Sequence, residues 1–187
     1  MAFYSKSELD ALGLGGVGDN VLISKKASIY NPGRIVIGNN VRIDDFCVLS
    51  AGEGGIEIGD YVHVAVFCSL IGEGKIKLSD FAGLSSRVSL YSSNDDYSGS
   101  YMTNPMVPSE LTGVTHADVL VGRHVIIGSG TVILPGVSLG DGVAIGALSL
   151  VTKDCEPFGI YRGTRRIGER KRDLLTLEGQ VKQSDLS

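Results

Sequence analysis

An aliphatic residue returns every six positions along most of this chain. The beat runs Val17, Ile23, Ile29; Ile37, Ile43, Leu49; Ile58, Val64, Leu70; Leu78, Leu84, Leu90; Val121, Ile127, Ile133; and Leu139, Ile145, Val151. The fifth position of each hexad is an independent check, and sixteen of these eighteen are small or β-branched. The exceptions, Glu53 and Asn94, fall where the beat is interrupted. A period of six suits neither an amphipathic helix nor a meander of long strands. It suits a short strand, a tight corner and another short strand, with three sides closing one coil of eighteen residues. One coil cannot bury its aliphatic face alone, so coils stack. Six coils at the roughly 4.8 Å strand spacing predict a prism about 29 Å long.

Between groups the step stretches. Ile29 to Ile37 is eight, Leu49 to Ile58 nine, Leu70 to Leu78 eight, and Leu90 to Val121 thirty-one. All the extra chain therefore leaves from one corner of the prism, and residues 92–118 form one long polar loop there. Long irregular loops on a rigid scaffold usually carry function. At the start, "YSKSELDALG" reads as a short helix: Ser5 caps it, Glu8 completes a capping box, Tyr4 and Leu9 form a staple, and Gly13 stops it. Near the other end, Leu174, Leu177 and Val181 recur at helical spacing. Both helices are expected to shield the prism ends. The division expected is a helical cap (1–16), the coiled body (17–156) and a basic segment with a helix (157–187).

Composition changes this picture little. The 26 glycines supply tight corners, and five prolines without a G-X-Y run exclude collagen. A net charge of -4 favours neither nucleic acid nor an anionic membrane. No apolar run approaches a membrane span and no secretory leader opens the chain, so a soluble, cytoplasmic protein is expected. Cys47, Cys68 and Cys155 all count to the small fifth position, so they read as buried apolar side chains and form no disulfide framework.

From Val121 onward, "VGRHVIIGSGTVILPGVSLGDGVAIGALSLVTKD" resembles the C-terminal coils of hexapeptide-repeat sugar acetyltransferases that use acetyl-CoA. Maltose and galactoside O-acetyltransferases share this pattern, as do enzymes acylating nucleotide-linked sugars for O-antigen and other surface polysaccharides. With "SSNDDYSG", "TNPMVP", "GALSLVTK" and the "LLTLE" tail, the whole chain looks closest to the second group. The resemblance implies an all-β, left-handed parallel β-helix, a homotrimer, acetyl-CoA as co-substrate and no metal. By position it implies that Ser129, Gly146, Ala147, Thr152 and Lys153 line the CoA arm, where small side chains let pantetheine lie flat. Arg165, Arg166 and Arg170 belong to the one basic cluster and suit the CoA phosphates. The competing reading of that cluster is solvated surface charge. The chain lacks the Pro-Ala pair that the family usually carries after Gly163.

The acceptor is expected against Glu73, Asn94 and Tyr97. A sugar hydroxyl is a poor nucleophile and needs a base, for which histidine is the usual choice. The maltose and galactoside enzymes hold one at the start of the long loop, where this chain has Asn94 and Asp95. An amine, once deprotonated, needs no strong base, so Asp95 and Asp96 could position a sugar ammonium and accept its proton. With His63, these carboxylates are the candidate catalytic groups, converging across a trimer interface. The bland alternatives are an exposed histidine and an Asx turn. The expectation is N-acetylation of a nucleotide-linked amino sugar, with O-acetylation as the alternative. Two further alternatives are a non-catalytic hexapeptide scaffold and a γ-carbonic-anhydrase-like metal protein. The latter needs convergent histidines, and His116 and His124 are eight apart with His116 off the repeat.

Overall fold

The hexads fold as their period demands. A computed structural model, describing residues 2–184, winds them into a three-faced parallel β-helix. Residue 1 and residues 185–187, the outermost parts of the expected terminal segments, lie outside the described residues. The first face stacks Ile37, Ile58, Leu78, Val121 and Leu139 in register. The second stacks Ile23, Ile43, Val64, Leu84, Ile127 and Ile145. The third stacks Ile29, Leu49, Leu70, Leu90, Ile133 and Val151. Their side chains meet along the axis in one continuous apolar core. Each fully buried aliphatic side chain contributes about 1.5–3 kcal/mol relative to exposure, so the stacked rows dominate stability.

Two expectations are corrected here. There are about seven coils rather than six. Cys155 does not take a fifth position; it bridges to Leu139 and opens a further coil. Six residues on, Tyr161 stacks on Ile145, with Gly159 at the intervening small position, where an added Cβ would lie 2.3 Å from the Tyr161 ring. The step from Val151 to Cys155 is only four, which hides this coil from a count by six. The coil thus runs into the segment expected to be only basic tail and helix. Glu53 and Asn94 are also explained. After each excursion the inward position is regained just before the first-face residue, at the β-branched Ile56 and Val119, which are 1% and 0% exposed.

The cysteines are buried, and burial holds the Cys155 thiol up, to about 11, with Asp154 adding to the effect. A hydrogen bond donated to Cys47, and then burial, push Cys68 up as well.

Corners need a left-handed residue. At the first corner, between first and second faces, these are Asn20, Asn40, Tyr61, Phe81 and His124, with φ of 54° to 60°. Outside glycine and asparagine this conformation costs on the order of 1 kcal/mol. The rings offset it by stacking: Tyr61 on Phe81 at 4.7 Å and Phe81 on His124 at 4.9 Å.

The N-terminal helix α1 (Lys6–Ala11) forms with the expected capping box: the Ser5 N–H donates to Glu8 Oε2 at 2.8 Å. Lys25, then Ser5, lower the Glu8 carboxyl to about 2. Leu9 joins the core. The C-terminal helix α2 (Asp173–Ser184) corrects the expectation of an apolar shield. Leu174 is half-buried, while Leu177 and Val181 are exposed. Among the described residues, the one this helix buries is Glu178, which accepts from Arg123 and pairs with His124 Nε2 at 2.7 Å. The end of the second face is covered instead by the strand Arg165–Glu169, folded back antiparallel on Gly159–Arg162. No helix among the described residues is long and apolar enough to cross a membrane.

Candidate active site

The second corner, between second and third faces, loses side chains toward the C-terminal end. Its successive rungs read Asp44-Asp45-Phe46, Ala65-Val66-Phe67, Ser85-Ser86-Arg87, Gly128-Ser129-Gly130 and Gly146-Ala147-Leu148. Packing forces part of this: a Cβ on Gly128 would lie 2.4 Å from the Ala147 nitrogen. Ser129 and Ala147 are exposed, and the Leu148 N–H donates to the Ser129 carbonyl at 2.8 Å. The buried hydroxyls of Thr131 and Ser149 both donate to the Gly146 carbonyl, so that rung is held from within. Ser129, Gly146 and Ala147 therefore form one smooth strip. Thr152 and Lys153 do not lie on it. They follow the third-face strand Leu150–Val151 and sit exposed at the third corner.

Beside the strip is a hollow of about 290 Å³, lined by His63, Ala65, Gly83, Ser85, Ser86, Ile126 and Ser129 among others. His63 projects outward from the second face and is half exposed. Its Nε2 lies 2.9 Å from Asp44 Oδ2, and the other Asp44 oxygen accepts from Arg42 Nε at 2.7 Å. Asp44 is only 4% exposed. Burial pushes its carboxyl up, but Arg42 and then His63 outweigh that and hold it below 3.8. Asp44 thus fixes the imidazole's orientation. Sequence reading missed this residue. Its signal was the column logic that had already grouped Tyr61, Phe81 and His124: Asp44 lies one rung below Ala65, diagonal to His63.

The other candidates gather at the third corner, where the long loop leaves. Its root is an antiparallel pair, Ser93–Asn94 with Thr115–His116. Ser93 Oγ lies 2.8 Å from His116 Nδ1 and accepts the Glu73 N–H at 2.8 Å. Glu73 in turn accepts the Glu53 N–H at 3.0 Å, so it braces the root. Asn94 donates to the Asp95 carbonyl at 3.1 Å. Asp96 is committed to the loop: its carboxylate accepts from Ser98 Oγ at 2.9 Å, the Gly99 N–H at 3.0 Å and the Tyr101 N–H at 3.3 Å. These bonds, Ser98 first, hold its carboxyl down against burial. This is the turn-holding role. Asp95 differs. Its carboxylate has no hydrogen bond among the described residues, and it borders a separate hollow of about 210 Å³ with Asn104, Pro105 and Val114 among its walls. Tyr97 is 87% exposed. The chain itself therefore does not bring His63 and Asp95 into one hollow.

The basic cluster also divides. Arg170 turns inward, donating to the His124 carbonyl at 2.5 Å and the Gly142 carbonyl at 3.3 Å. Burial lowers its pKa. Arg165 and Arg166 are exposed on the terminal strand, beyond the Gly146 rung. Among the described residues no group of three or more His, Cys, Asp or Glu side chains could hold a metal ion.

Residues 118–153 match the family "Bacterial transferase hexapeptide (six repeats)". A dTDP-4-amino-4,6-dideoxy-D-glucose acyltransferase of Escherichia coli is 55% identical over 186 residues, 98% of this chain and 97% of the relative. The N-acyltransferase AntD from Bacillus cereus, solved with dTDP and 3-hydroxybutyryl-CoA, is 46% identical with a TM-score of 0.91, covering 99% of this chain and 98% of its own. A variant of AntD was solved with dTDP-4-amino-4,6-dideoxyglucose and coenzyme A, at a TM-score of 0.92, 46% identity and 98% coverage of both chains. A maltose O-acetyltransferase from Clostridium difficile is 22% identical, with a TM-score of 0.59 over 89% of this chain and 75% of its own, a likeness of fold.

Proposed function

This chain belongs to the hexapeptide-repeat acyltransferases, and from that premise we propose that it transfers an acetyl group from acetyl-CoA to the amino group of a dTDP-linked 4-amino-4,6-dideoxy sugar destined for a surface polysaccharide. The observation that carries the amine acceptor is the state of Asp95: an uncommitted carboxylate on a loop that Asp96 holds in place, with no histidine where a hydroxyl acceptor would need one. In the transfer, the amine nitrogen attacks the thioester carbonyl, the N–C bond forms, the C–S bond breaks and CoA leaves as its thiol. Asp95 takes one proton from the bound ammonium, directly or through water, to free the attacking amine, and the proton that the nitrogen sheds after attack goes to the departing sulfur. Ser129, Gly146 and Ala147 bed the pantetheine arm, with Thr152 and Lys153 reaching it from the third corner. Arg165 and Arg166 face the phosphates, while Arg170 secures the terminal segment behind them.

The active unit is a homotrimer in which the loop of one copy meets the His63 face of the next. The separation of the two hollows within one chain supports this, as do the loop's exposed Tyr97 and Met106, at 87% and 90%. Thiol release with acetyl-CoA and the dTDP-amino sugar tests the assignment. Asp95→Asn should lower kcat/KM about 100-fold, within the usual contribution of a proton acceptor. A loss under threefold would remove Asp95 from the reaction. A second reading, O-acylation, is favoured by the Asp44–His63 pair, which has the form of an oriented base. It predicts turnover of the 4-hydroxy analogue, abolished in His63→Ala.

A further inference from the structure

The outward row of the second face reads Leu22, Arg42, His63, Gly83, Ile126 and Ala144. One member of this row has no side chain, and the backbone does not ask for that. Gly83 is not among the residues with positive φ, and a Cβ added there would meet only Ile126 Cδ1, at 3.4 Å, an ordinary contact. Several glycines elsewhere in the coils are forced: a Cβ on Gly59 would lie 2.4 Å from an Asp80 oxygen, and one on Gly128 would lie 2.4 Å from the Ala147 nitrogen. Gly83 is small without a folding reason. A strand glycine also costs conformational entropy, so its retention points to something that occupies the space.

That space is the floor of the 290 Å³ hollow, room for several waters at roughly 30 Å³ each. His63 stands on one side and Ile126, 41% exposed and apolar, on the other. Ser85, Ser86 and Ser129 edge it at the corner. The smooth strip of the second corner runs from Ala147 past Ser129 into this hollow. An acyl-CoA arm laid along the strip, as the proposed function has it, delivers its thioester end here. We propose that the hollow is the acyl pocket, and that Gly83 sets the length of chain admitted, opening it to short acyl groups longer than acetyl. Ile126 and Ala65 supply the apolar wall, and the serine hydroxyls tolerate a polar substituent on the chain. The inference rests on the acyl-CoA reading but goes beyond it, because it makes donor choice a property of one outward glycine.

The test compares acetyl-CoA, butyryl-CoA and hexanoyl-CoA by thiol release from the full chain, with the same dTDP-amino sugar. The wild type should use butyryl-CoA within about tenfold of acetyl-CoA, because methylene discrimination in an open pocket is small. Gly83→Val should lower the butyryl-to-acetyl ratio of kcat/KM by about tenfold or more, and Gly83→Ala by less. Ile126→Ala, which widens the opposite wall, should raise the hexanoyl-to-acetyl ratio. This second variant probes the same pocket even if Gly83→Val fails to fold. Refusal of butyryl-CoA by the wild type, or ratios within twofold of wild type in the variants, would overturn the proposal. In that case continued acetyl transfer leaves the acyltransferase reading standing. Absence of transfer from every thioester would sink both.

Discussion

Along the first corner of the prism, each rung hands a side chain to the rung before it. Asn39 caps the Asp19 N–H, Asp60 caps Asn39, and Asp80 caps Asp60, at 2.9, 2.7 and 3.0 Å. The rings of Tyr61, Phe81 and His124 stack above them. The second corner begins in the same way, with Phe46 on Phe67 at 5.0 Å and Arg87 over Phe67 at 5.3 Å. Then it stops. Its last rungs carry glycine, serine and alanine, and its last left-handed residue is Leu148, 86% exposed at a φ of 56°. One repeat therefore serves two ends. At the first corner every capping group satisfies a backbone donor, each such bond contributing about 0.5–1.5 kcal/mol. The second corner forgoes that stabilisation and keeps a smooth, open edge.

The largest effect that would sharpen this contrast lies at the first corner. Glu178 is 9% exposed and joins α2 to Arg123 and His124. Glu178→Ala leaves a nearly buried His124 and part of Arg123 without their acceptor. The expected loss is about 3 kcal/mol, the scale of breaking a buried pair by removing one partner. Urea denaturation measures it. KM for acyl-CoA should move less than about threefold, since distant sites behave independently. A variant that kept its stability but lost CoA affinity would reverse the roles given to the two corners.

The second effect is its mirror image. Ala147→Leu places a branched side chain on the strip. KM for acyl-CoA should rise about tenfold or more, equivalent to about 1.4 kcal/mol, while stability stays within about 0.5 kcal/mol because the site is exposed. Initial-rate kinetics and a thermal melt read the two together. An unchanged KM would mean that the arm lies elsewhere.

Much of this contrast was legible in the sequence, and the parts that were not share a cause. A count by six placed the stacked aliphatic residues of the three faces from Ile37 to Val151 and put Tyr61, Phe81 and His124 in one column, because period and register are one-dimensional facts. It failed where the step changed: the four-residue step from Val151 to Cys155 concealed the seventh coil. It also left roles undivided among adjacent like residues. Asp95 and Asp96 look alike in sequence, and only the turn through Ser98, Gly99 and Tyr101 decides which carboxylate is spent. Arg170 looks like Arg165 and Arg166 until the chain direction aims it at the His124 carbonyl. Asp44 went unseen because its partners come from different rungs, and a pairing across rungs needs the corner's geometry as well as its period.

Asp44 gives the smallest effect and the finest test, because it lies on the second corner yet behaves like the first. Its carboxylate is buried between Arg42 and His63, at 2.7 and 2.9 Å. Burial alone would raise its pKa, and Arg42 and then His63 bring it below the ordinary aspartate value. A depressed folded pKa means that the group adds stability above its ordinary range, and that this is lost as pH falls through the lower folded value. The contribution expected is about 1 kcal/mol, that of a hydrogen-bonded charge with one exposed partner. Thermal melts of the wild type and Asp44→Asn should therefore differ at pH 6 and converge as pH falls below 3.8. A gap that stays constant through that range would show that the carboxylate's charge does not hold Arg42 and His63. The functional counterpart follows from the same geometry. If the second corner is built for ligand rather than stability, Asp44→Asn should change His63-dependent turnover more than it changes the melting temperature at pH 7. The reverse ranking would assign the Arg42–Asp44–His63 cluster to the scaffold.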